Sequence, residues 1–274
     1  MVVRAIALVS ILALAGTPSL AEIETGDCLI LPSATIDLGG TVPGLIAEVN
    51  VEIGDSVEKG QIVASLRTEV QETVRRLAIL RAENRTSVTA AETQLEFERY
   101  EFERIRDLRE RGVATETQLI EREAAMVLRE AELEDALAQA RAAEIEVERA
   151  ETELEVRRLR APVSGVVADR YLDGGEYLRD DGRVVTIVQL NPLRVEIFLP
   201  QLAYPAIAVG DIVPITPELG APGPFDAEVR TKDPMVDAAS ASFRVRLDLA
   251  NPGGAIISGT RCSAVFTSVT LSDG

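Results

Sequence analysis

The sequence contains few side chains that could carry out chemistry. Histidine is absent from all 274 residues, which removes the commonest general base and the commonest protein ligand of transition metals. Carboxylates are abundant, but they recur at spacings typical of solvated helix faces, and no serine is framed by glycines as in hydrolases. We therefore predict no catalytic residue, no metal site and no cofactor, and we do not expect an enzyme.

Two cysteines are the remaining reactive groups. Cys28 and Cys262 lie in β-like segments near opposite ends of the chain. Export from the cytoplasm would permit a disulfide between them. The alternative is that both are buried as small apolar side chains. Two cysteines without histidine make a metal site improbable, so a disulfide and two buried thiols are the interpretations left open.

Net charge and aromatic content narrow the class of protein. The formal net charge is −17, and 4% of the residues are aromatic, with no tryptophan. A chain this acidic lacks the basic face that binds nucleic-acid phosphates. Few aromatic side chains favour thin modules over one bulky core. The composition is compatible with a soluble, exported, elongated protein that has no nucleic-acid partner.

The first residues have the pattern of a secretory signal peptide. One positive charge at Arg4 precedes an apolar run from Ala5 to Ala15, and residues 19–21, SLA, provide a small-x-small cleavage site. The apolar run is shorter than the roughly 18–20 residues that a spanning helix needs, which disfavours an uncleaved anchor. We predict cleavage after Ala21.

Any functional surface must be positioned by the elements that follow, and two of these share a motif. The stretches PGLIAEVNVEIGDSVEKG and PVSGVVADRYLDGGEYL have the same β-like rhythm at an offset of 121 residues. The aligned pairs are Gly44 with Gly165, Ile46 with Val167, and Gly54 with Gly175. We predict that the stretches are two halves of one domain, with Ile46 and Val167 in one shared core.

Residues 68–159, between these halves, have helical character. The span contains no proline and one glycine, Gly112, and it is dominated by Glu, Arg, Ala and Leu. Thr68 and Thr115 each precede a glutamine by three residues, the spacing of a capping box, and Gly112 suits a left-handed C-cap. We predict two helices of about 45 residues each that form a hairpin with its tip near Gly112.

Apolar residues recur at heptad spacing in both helices, which predicts a coiled-coil seam between the arms. The columns of the second helix are Leu119, Met126, Leu133, Ala140, Val147 and Leu154, and Ala136, Ala143 and Ala150. The columns of the first helix are Val74, Val88, Leu95 and Phe102, broken by Arg81, and Val70, Leu77, Ala91 and Ile105, broken by Asn84 and Glu98. The alanines indicate close approach of the helices.

The C-terminal part of the chain is β-like. In SFRVRLDL the apolar residues alternate with charged ones, which predicts a half-buried antiparallel strand. The apolar positions are Phe243, Val245, Leu247 and Leu249. Several short strands separated by turn signals fit a small antiparallel barrel.

The order of these elements closely resembles that of the periplasmic adaptor subunits, or HlyD-like membrane fusion proteins, of bacterial tripartite efflux pumps. The nearest branch is the one that serves RND-type transporters. The matched β stretches resemble the split halves of a biotinyl/lipoyl-type domain, whose second-half signature is LRAP at 159–162. The barrel signature includes NPLRV at 191–195 and FRVR at 243–246. The resemblance covers essentially the whole mature chain, and the order and spacing of the motifs make it specific.

The resemblance implies an elongated, multi-domain α+β fold. A split lipoyl-like β domain would contain an inserted antiparallel coiled-coil hairpin and would be followed by a small β-barrel. The expected boundaries are 1–21 for the signal peptide, 22–40 for N-terminal strands joining the barrel, 41–67 and 160–190 for the lipoyl-like halves, 68–159 for the hairpin, and 191–274 for the barrel. Many relatives have a further membrane-proximal domain, which we expect to be absent or reduced.

The resemblance also implies a function. The chain would link an inner-membrane RND transporter to a TolC-like outer-membrane channel for efflux of small molecules. Copies would associate into a ring, six in number by family resemblance, in the periplasm at the inner membrane. An ABC-type exporter or a type I secretion system is the alternative transporter. Contact with the transporter would fall mainly to the barrel.

Three residues near the hairpin tip are candidates for docking. The tip of such adaptors has an Arg, a Leu four residues later and a Ser seven residues after that. Arg104, Leu108 and Thr115 occupy these positions here, with Thr in place of Ser, and by resemblance they would contact the outer-membrane channel. Each also has a simpler interpretation: Arg104 on a solvated face, Leu108 in the seam and Thr115 as an N-cap.

Other functions are disfavoured. A lipoyl or biotinyl carrier has its lysine at the turn that joins the two halves, whereas Lys59 lies in a different turn. Metal-efflux adaptors often carry Met or His ligands, whereas Met126 and Met235 are the only mature methionines. A purely structural coiled coil would explain residues 68–159 but not the matched β stretches.

Overall fold

The computed structural model describes the backbone of residues 21–269 and the side chains of residues 28–266. Almost all of the predicted signal peptide lies outside these residues. The described chain divides into two compact units. We call residues 37–187 the hairpin unit, and residues 21–36 with 188–269 the six-stranded unit.

The elements follow the order that the sequence pattern indicates, with strands at both ends and helices between them. The strands are β1 (Ala21–Leu38), β2 (Gly44–Val49), β3 (Ser56–Val57), β4 (Ile62–Leu66), β5 (Arg158–Arg160), β6 (Gly165–Arg170), β7 (Tyr177–Leu178), β8 (Val185–Pro200), β9 (Ile212–Pro217), β10 (Phe225–Lys232), β11 (Ser242–Leu249) and β12 (Thr260–Val269). The helices are α1 (Glu69–Glu83), α2 (Thr86–Glu110) and α3 (Glu116–Glu155), and a 3-10 helix covers Gln201–Ala206.

The six-stranded unit is an antiparallel sheet with its own core. Its strands are ordered β1-β12-β9-β10-β11-β8, and a further pairing between β1 and β8 joins the two ends of this order. In β11 the predicted alternation is confirmed, because Phe243, Val245, Leu247 and Leu249 are all at most 2% exposed. The neighbouring strand β8 contributes Leu193, Val195, Ile197 and Leu199 to the same core.

The hairpin unit contains the two matched β stretches, and these share one core. Ile46 and Val167 are each 1% exposed and belong to one buried cluster, so the predicted shared core is confirmed. The backbone N–H of Gly54 donates to the carbonyl of Val167 at 2.8 Å, and the N–H of Gly175 donates to the carbonyl of Ile46 at 2.9 Å. Each half therefore supplies the turn that caps the other half.

The turns of the two halves repeat the same hydrogen bonds. In the first half, the N–H of Glu52 donates to the Asp55 carboxylate at 2.8 Å. At the equivalent place in the second half, the N–H of Asp173 donates to the Glu176 carboxylate at 2.8 Å. The offset of 121 residues in the sequence is thus an approximate two-fold repeat in the structure. Both turns place a glycine at positive φ, Gly54 at 94° and Gly175 at 92°.

Three helices form an antiparallel hairpin between these halves, in which α1 and α2 pack against α3. Ion pairs between the arms show the direction, since residue numbers rise along one arm as they fall along the other. The inter-arm pairs include Arg75–Glu151, Arg81–Glu146, Arg85–Glu144, Arg99–Glu130 and Arg109–Glu116. None of the helices in the described residues is long and apolar enough to cross a membrane.

The first arm is not the single helix that the sequence pattern predicts. It is divided at Asn84 and Arg85, where Asn84 has an extended ψ of 96°. The Asn84 side-chain oxygen accepts a hydrogen bond from the backbone N–H of Thr86 at 3.1 Å. Asn competes with the helix in this way because its short side chain can bond the nearby backbone.

The predicted seam is wrong in α1 and correct in α2. Val70 and Leu77, predicted to face the other arm, are 70% and 49% exposed, whereas Ala78 is 5% exposed. In α2 the predicted positions Val88, Ala91 and Leu95 are buried. The heptad columns assume one continuous helix. The division at Asn84 instead shifts the face of α1 that contacts α3 by about one residue position, from Leu77 to Ala78.

Candidate functional site

The structure places the three candidate docking residues at the end of the hairpin. Arg104 and Leu108 lie one turn apart in the last part of α2, and Thr115 immediately precedes α3. A five-residue turn, residues 111–115, separates the two helices. The candidates therefore share one end of the hairpin unit.

Backbone hydrogen bonds hold the turn in shape. The carbonyl of Leu108 accepts from the N–H of Val113 at 2.9 Å and from that of Ala114 at 3.3 Å. Gly112 takes φ +78°, the left-handed conformation expected of a C-cap. This arrangement satisfies carbonyls that the last turn of α2 would otherwise leave unpaired.

Thr115 begins α3 with a capping box. Its side chain accepts from the N–H of Gln118 at 3.3 Å, and the Gln118 side chain accepts from the N–H of Thr115 at 2.9 Å. The predicted box at Thr115 is confirmed, whereas that at Thr68 is wrong, because no side-chain cap bond forms there. The Thr68 hydroxyl instead donates to the Glu72 carboxylate at 2.9 Å.

Two ion pairs organise the charged side chains at the tip. Arg104 is 55% exposed and contacts the carboxylate of Glu101 at 2.5 Å. Arg109 reaches across the turn to Glu116 at 3.0 Å. Both arginines thus have a carboxylate partner, while much of the Arg104 side chain faces solvent.

The three predicted residues differ in how free they are to contact a partner. Arg104 and Thr115 are exposed, and Leu108 is half-buried. The sequence interpretation missed Val113, which is 72% exposed directly after Gly112. Its signal was a β-branched apolar residue inside a polar turn. The tip therefore offers an apolar contact at Val113 besides the half-buried Leu108.

Cys28 and Cys262 lie directly opposite each other in the pairing of β1 with β12. The structure joins them by a disulfide, with their Cα atoms 4.9 Å apart and a sequence separation of 234. Both are buried in the core of the six-stranded unit, at 2% and 1% exposure. The bond would connect the first strand of this unit to the last.

The shifted carboxyl groups do not have the environment of a general acid. The pKa of Asp37 is lowered by a hydrogen bond from Thr186 and by the neighbouring Arg183. The pKa of Glu155 is lowered by a hydrogen bond from Arg160. The pKa of Asp237 is lowered by hydrogen bonds from the backbone N–H groups of Ser240 and Ala239. A catalytic carboxylic acid usually needs a raised pKa, whereas the pKa of each of these three carboxyl groups is lowered.

An open cleft in the hairpin has a lining that is unusual for a small-molecule site. This cleft of about 750 Å³ lies between α1 and α3, but its lining is charged, and Arg75 and Glu151 pair within it at 3.0 Å. Ligand sites are usually apolar with a few polar groups. Within residues 28–266, no three Cys, Asp or Glu side chains are grouped so that they could hold a metal ion.

Comparison with known families and proteins assigns the fold. Residues 35–189 match the family model described as CzcB-like, barrel-sandwich hybrid domain, which is more than half of the chain. The structure is similar to that of MacA from Actinobacillus actinomycetemcomitans, with a TM-score of 0.72, 19% identity, and coverage of 90% of this chain and 80% of that one. The match to MacA shows a shared fold.

Two curated relatives are similar in sequence. The nodulation protein NolF of Rhizobium meliloti (strain 1021) is 31% identical over 231 residues, which are 84% of this chain and 59% of NolF. The cobalt-zinc-cadmium resistance protein CzcB of Cupriavidus metallidurans is 22% identical over 209 residues, 76% of this chain and 38% of CzcB. This chain thus spans less than two thirds of either relative. It is a mixed α+β protein and belongs to the CzcB-like, barrel-sandwich hybrid domain family.

Proposed function

We propose that this chain is the periplasmic adaptor of a tripartite efflux pump of the RND type. It would link the inner-membrane transporter to a TolC-like outer-membrane channel, with small molecules passing through a ring of copies. The observation that carries the proposal is the combination of two interlocked β halves with a long hairpin whose tip is exposed. Such a hairpin can reach a distant partner, because 40 residues of α3 alone span about 60 Å.

Each part of the chain has a role in this proposal. The tip residues Arg104, Leu108 and Thr115 contact the channel, with Val113 adding an apolar contact. The six-stranded unit, as a small β-barrel, contacts the transporter. The hairpin arms pack side by side as coiled coils in a ring of six copies. The signal peptide directs the chain to the periplasm.

The tip assignment can be tested by photo-crosslinking. A benzophenone amino acid placed at Arg104 or Thr115 should yield a covalent adduct with an outer-membrane channel protein in cells. This follows because both side chains are exposed at the end of the hairpin. The adduct would be identified by mass spectrometry of the purified complex.

Matched control positions exist at the other end of the hairpin. Arg76 and Glu148 are also exposed, but they lie in the parts of α1 and α3 next to the β halves. The same probe there should give no channel adduct. Adducts with the channel from these positions, or from the six-stranded unit alone, would contradict docking through the tip.

The transporter class needs a separate observation. An RND partner predicts a neighbouring reading frame for a large transporter with twelve membrane spans. An adjacent ATPase would favour the alternative, an ABC-type exporter or a type I secretion system. Affinity purification of the chain from membranes should recover the same transporter that the neighbouring frame encodes.

A further inference from the structure

A carboxylate interrupts the apolar seam of the hairpin. In α2 the residues that face α3 include Val88, Ala91 and Leu95, at alternating steps of three and four. The next step falls on Glu98, whose side chain is only 16% exposed. A position of this kind is normally apolar in packed helix pairs.

The Glu98 carboxylate is poorly compensated. Its Oε2 atom is buried and has no hydrogen-bond partner among the described residues. The Nη1 atom of Arg122 lies 3.7 Å away, close enough for an ion pair but too far for a hydrogen bond. Burial of a carboxylate oxygen that accepts no hydrogen bond is unfavourable.

A second arginine near Glu98 pairs with a different carboxylate. Arg129 lies one heptad beyond Arg122, and its Nη1 atom contacts the Glu132 carboxylate on its own helix at 2.6 Å. The pKa of Arg129 is raised mainly by this hydrogen bond, with a smaller contribution from the charge of Glu98. Arg129 therefore interacts with the charge of Glu98 at a distance, while its direct contact is with Glu132.

The burial of side chains along the hairpin changes abruptly near Glu98. Toward the β halves, Val88, Ala91, Ala136 and Ala140 form a buried cluster with Leu133 and Leu137 packed against it. Beyond it, every residue from 96 to 135 is described, and none is buried. Fifteen residues of α2 (96–110) and twenty of α3 (116–135), roughly 22 Å and 30 Å of helix, thus lack a buried side chain.

The remaining contacts in this part of the hairpin are weak. The ion pairs Arg99–Glu130 and Arg109–Glu116 join the two arms, but all four side chains are 44–63% exposed. Exposed ion pairs contribute about 0–1 kcal/mol each. The apolar seam continues here through half-buried side chains, Phe102, Ile105, Leu108, Leu119 and Met126. Because packing of an apolar face supplies most of the stability of helices in water, this part of the hairpin is less stable than the part with buried side chains.

We propose that residues 96–132 form a distal unit that opens and closes independently of the rest of the hairpin, with Glu98 setting its boundary. Opening hydrates the Glu98 carboxylate and separates apolar side chains that are only half-buried, so it is less costly than opening the buried cluster beside it. The proposal goes beyond the adaptor function, because it concerns a single chain and needs no partner. The candidate docking residues lie within the distal unit.

Hydrogen–deuterium exchange of the whole mature chain tests the proposal. Amides of residues 96–132 should exchange at least about tenfold faster than those of 88–95 and 133–150, with a step near Glu98. In Glu98→Leu, a leucine completes the seam, and exchange across 98–130 should slow by about tenfold. Glu98→Gln removes the charge but keeps a polar side chain, and should give a smaller slowing.

Glu103→Leu is the matched control, since Glu103 is exposed on the same helix. It should leave exchange in the distal unit unchanged. Uniform protection along the hairpin, or a gradual loss toward the tip without a step near Glu98, would overturn the proposal. So would equal effects of Glu98→Leu and Glu103→Leu. Because no partner is present, these results do not depend on the crosslinking outcome.

Discussion

The bond between Cys28 and Cys262 joins residues that the sequence separates almost maximally. The two cysteines face each other across β1 and β12, and each is buried in the core of the six-stranded unit. A crosslink between distant positions restricts the unfolded chain strongly. In an exported protein this bond would hold the N-terminal strand in the sheet.

Loss of this bond should destabilise the six-stranded unit. For Cys28→Ala with Cys262→Ala, we expect a decrease in the free energy of unfolding of about 2–5 kcal/mol, measured by chemical denaturation without reductant. Reduction of the native chain should give a similar decrease, while the double variant should not respond to reductant. Alkylation of both cysteines in the denatured but non-reduced protein would contradict the bond.

Asn251, in the Asn-Pro pair at residues 251–252, makes hydrogen bonds that its sequence motif does not predict. The residue is 4% exposed, and its side-chain amide donates to the carbonyls of Leu190 and Ile256, both at 3.1 Å. Its side-chain oxygen accepts from the N–H of Ile256 at 3.1 Å. Asn-Pro alone indicates a turn, whereas these partners depend on the tertiary fold and cannot be read from spacing.

At the scale of elements, the two arms of the hairpin differ in how well their sequence predicts them. The heptad columns locate the contact face of α2, because no break interrupts the helix after Thr86. In α1 they indicate Val70 and Leu77, which are exposed. One asparagine at position 84 changes the register, and periodicity alone does not reveal that its side chain will bond the backbone.

The start of α3 depends on the Thr115 side chain. We expect Thr115→Ala to destabilise the first turn by about 0.5–2 kcal/mol, because the N–H of Gln118 loses its acceptor. Exchange of the amides of residues 116–119 should become faster. Thr115→Ser keeps the hydroxyl and should leave these rates near those of the native chain.

This pair of variants also separates two roles of Thr115. If channel docking needs only the hydroxyl, Thr115→Ser should retain crosslinking from Arg104. Equal acceleration of amide exchange in both variants would contradict the capping role. Retained crosslinking with Thr115→Ala would show that the side chain acts as a cap alone.

At the scale of the whole molecule, the repeat was the most informative part of the sequence. An offset of 121 residues was sufficient to predict that Ile46 and Val167 share a core, and the structure confirms it. The reciprocal bonds from Gly54 and Gly175 could not be predicted, because an aligned pair does not say which half caps which. The family assignment rests on the same region, residues 35–189.

The interlocked halves have a consequence for the kinetics of folding. Neither half can complete its core alone, so folding must bring together residues 121 positions apart. Closing a loop of that length costs about 4 kcal/mol in chain entropy, and a preformed hairpin shortens the effective loop to about 30 residues, lowering the cost by about 1 kcal/mol. The hairpin should therefore form before the β core.

Leu95→Ala tests this order of events, since Leu95 is buried against the other arm far along the chain from either half. Pulse-labelling exchange during refolding should show amides of β2 and β6 gaining protection several-fold more slowly in this variant. Val195→Ala, in the core of the six-stranded unit, should leave their rate unchanged. Unaltered protection of β2 and β6 in Leu95→Ala would mean that the halves find each other without the hairpin.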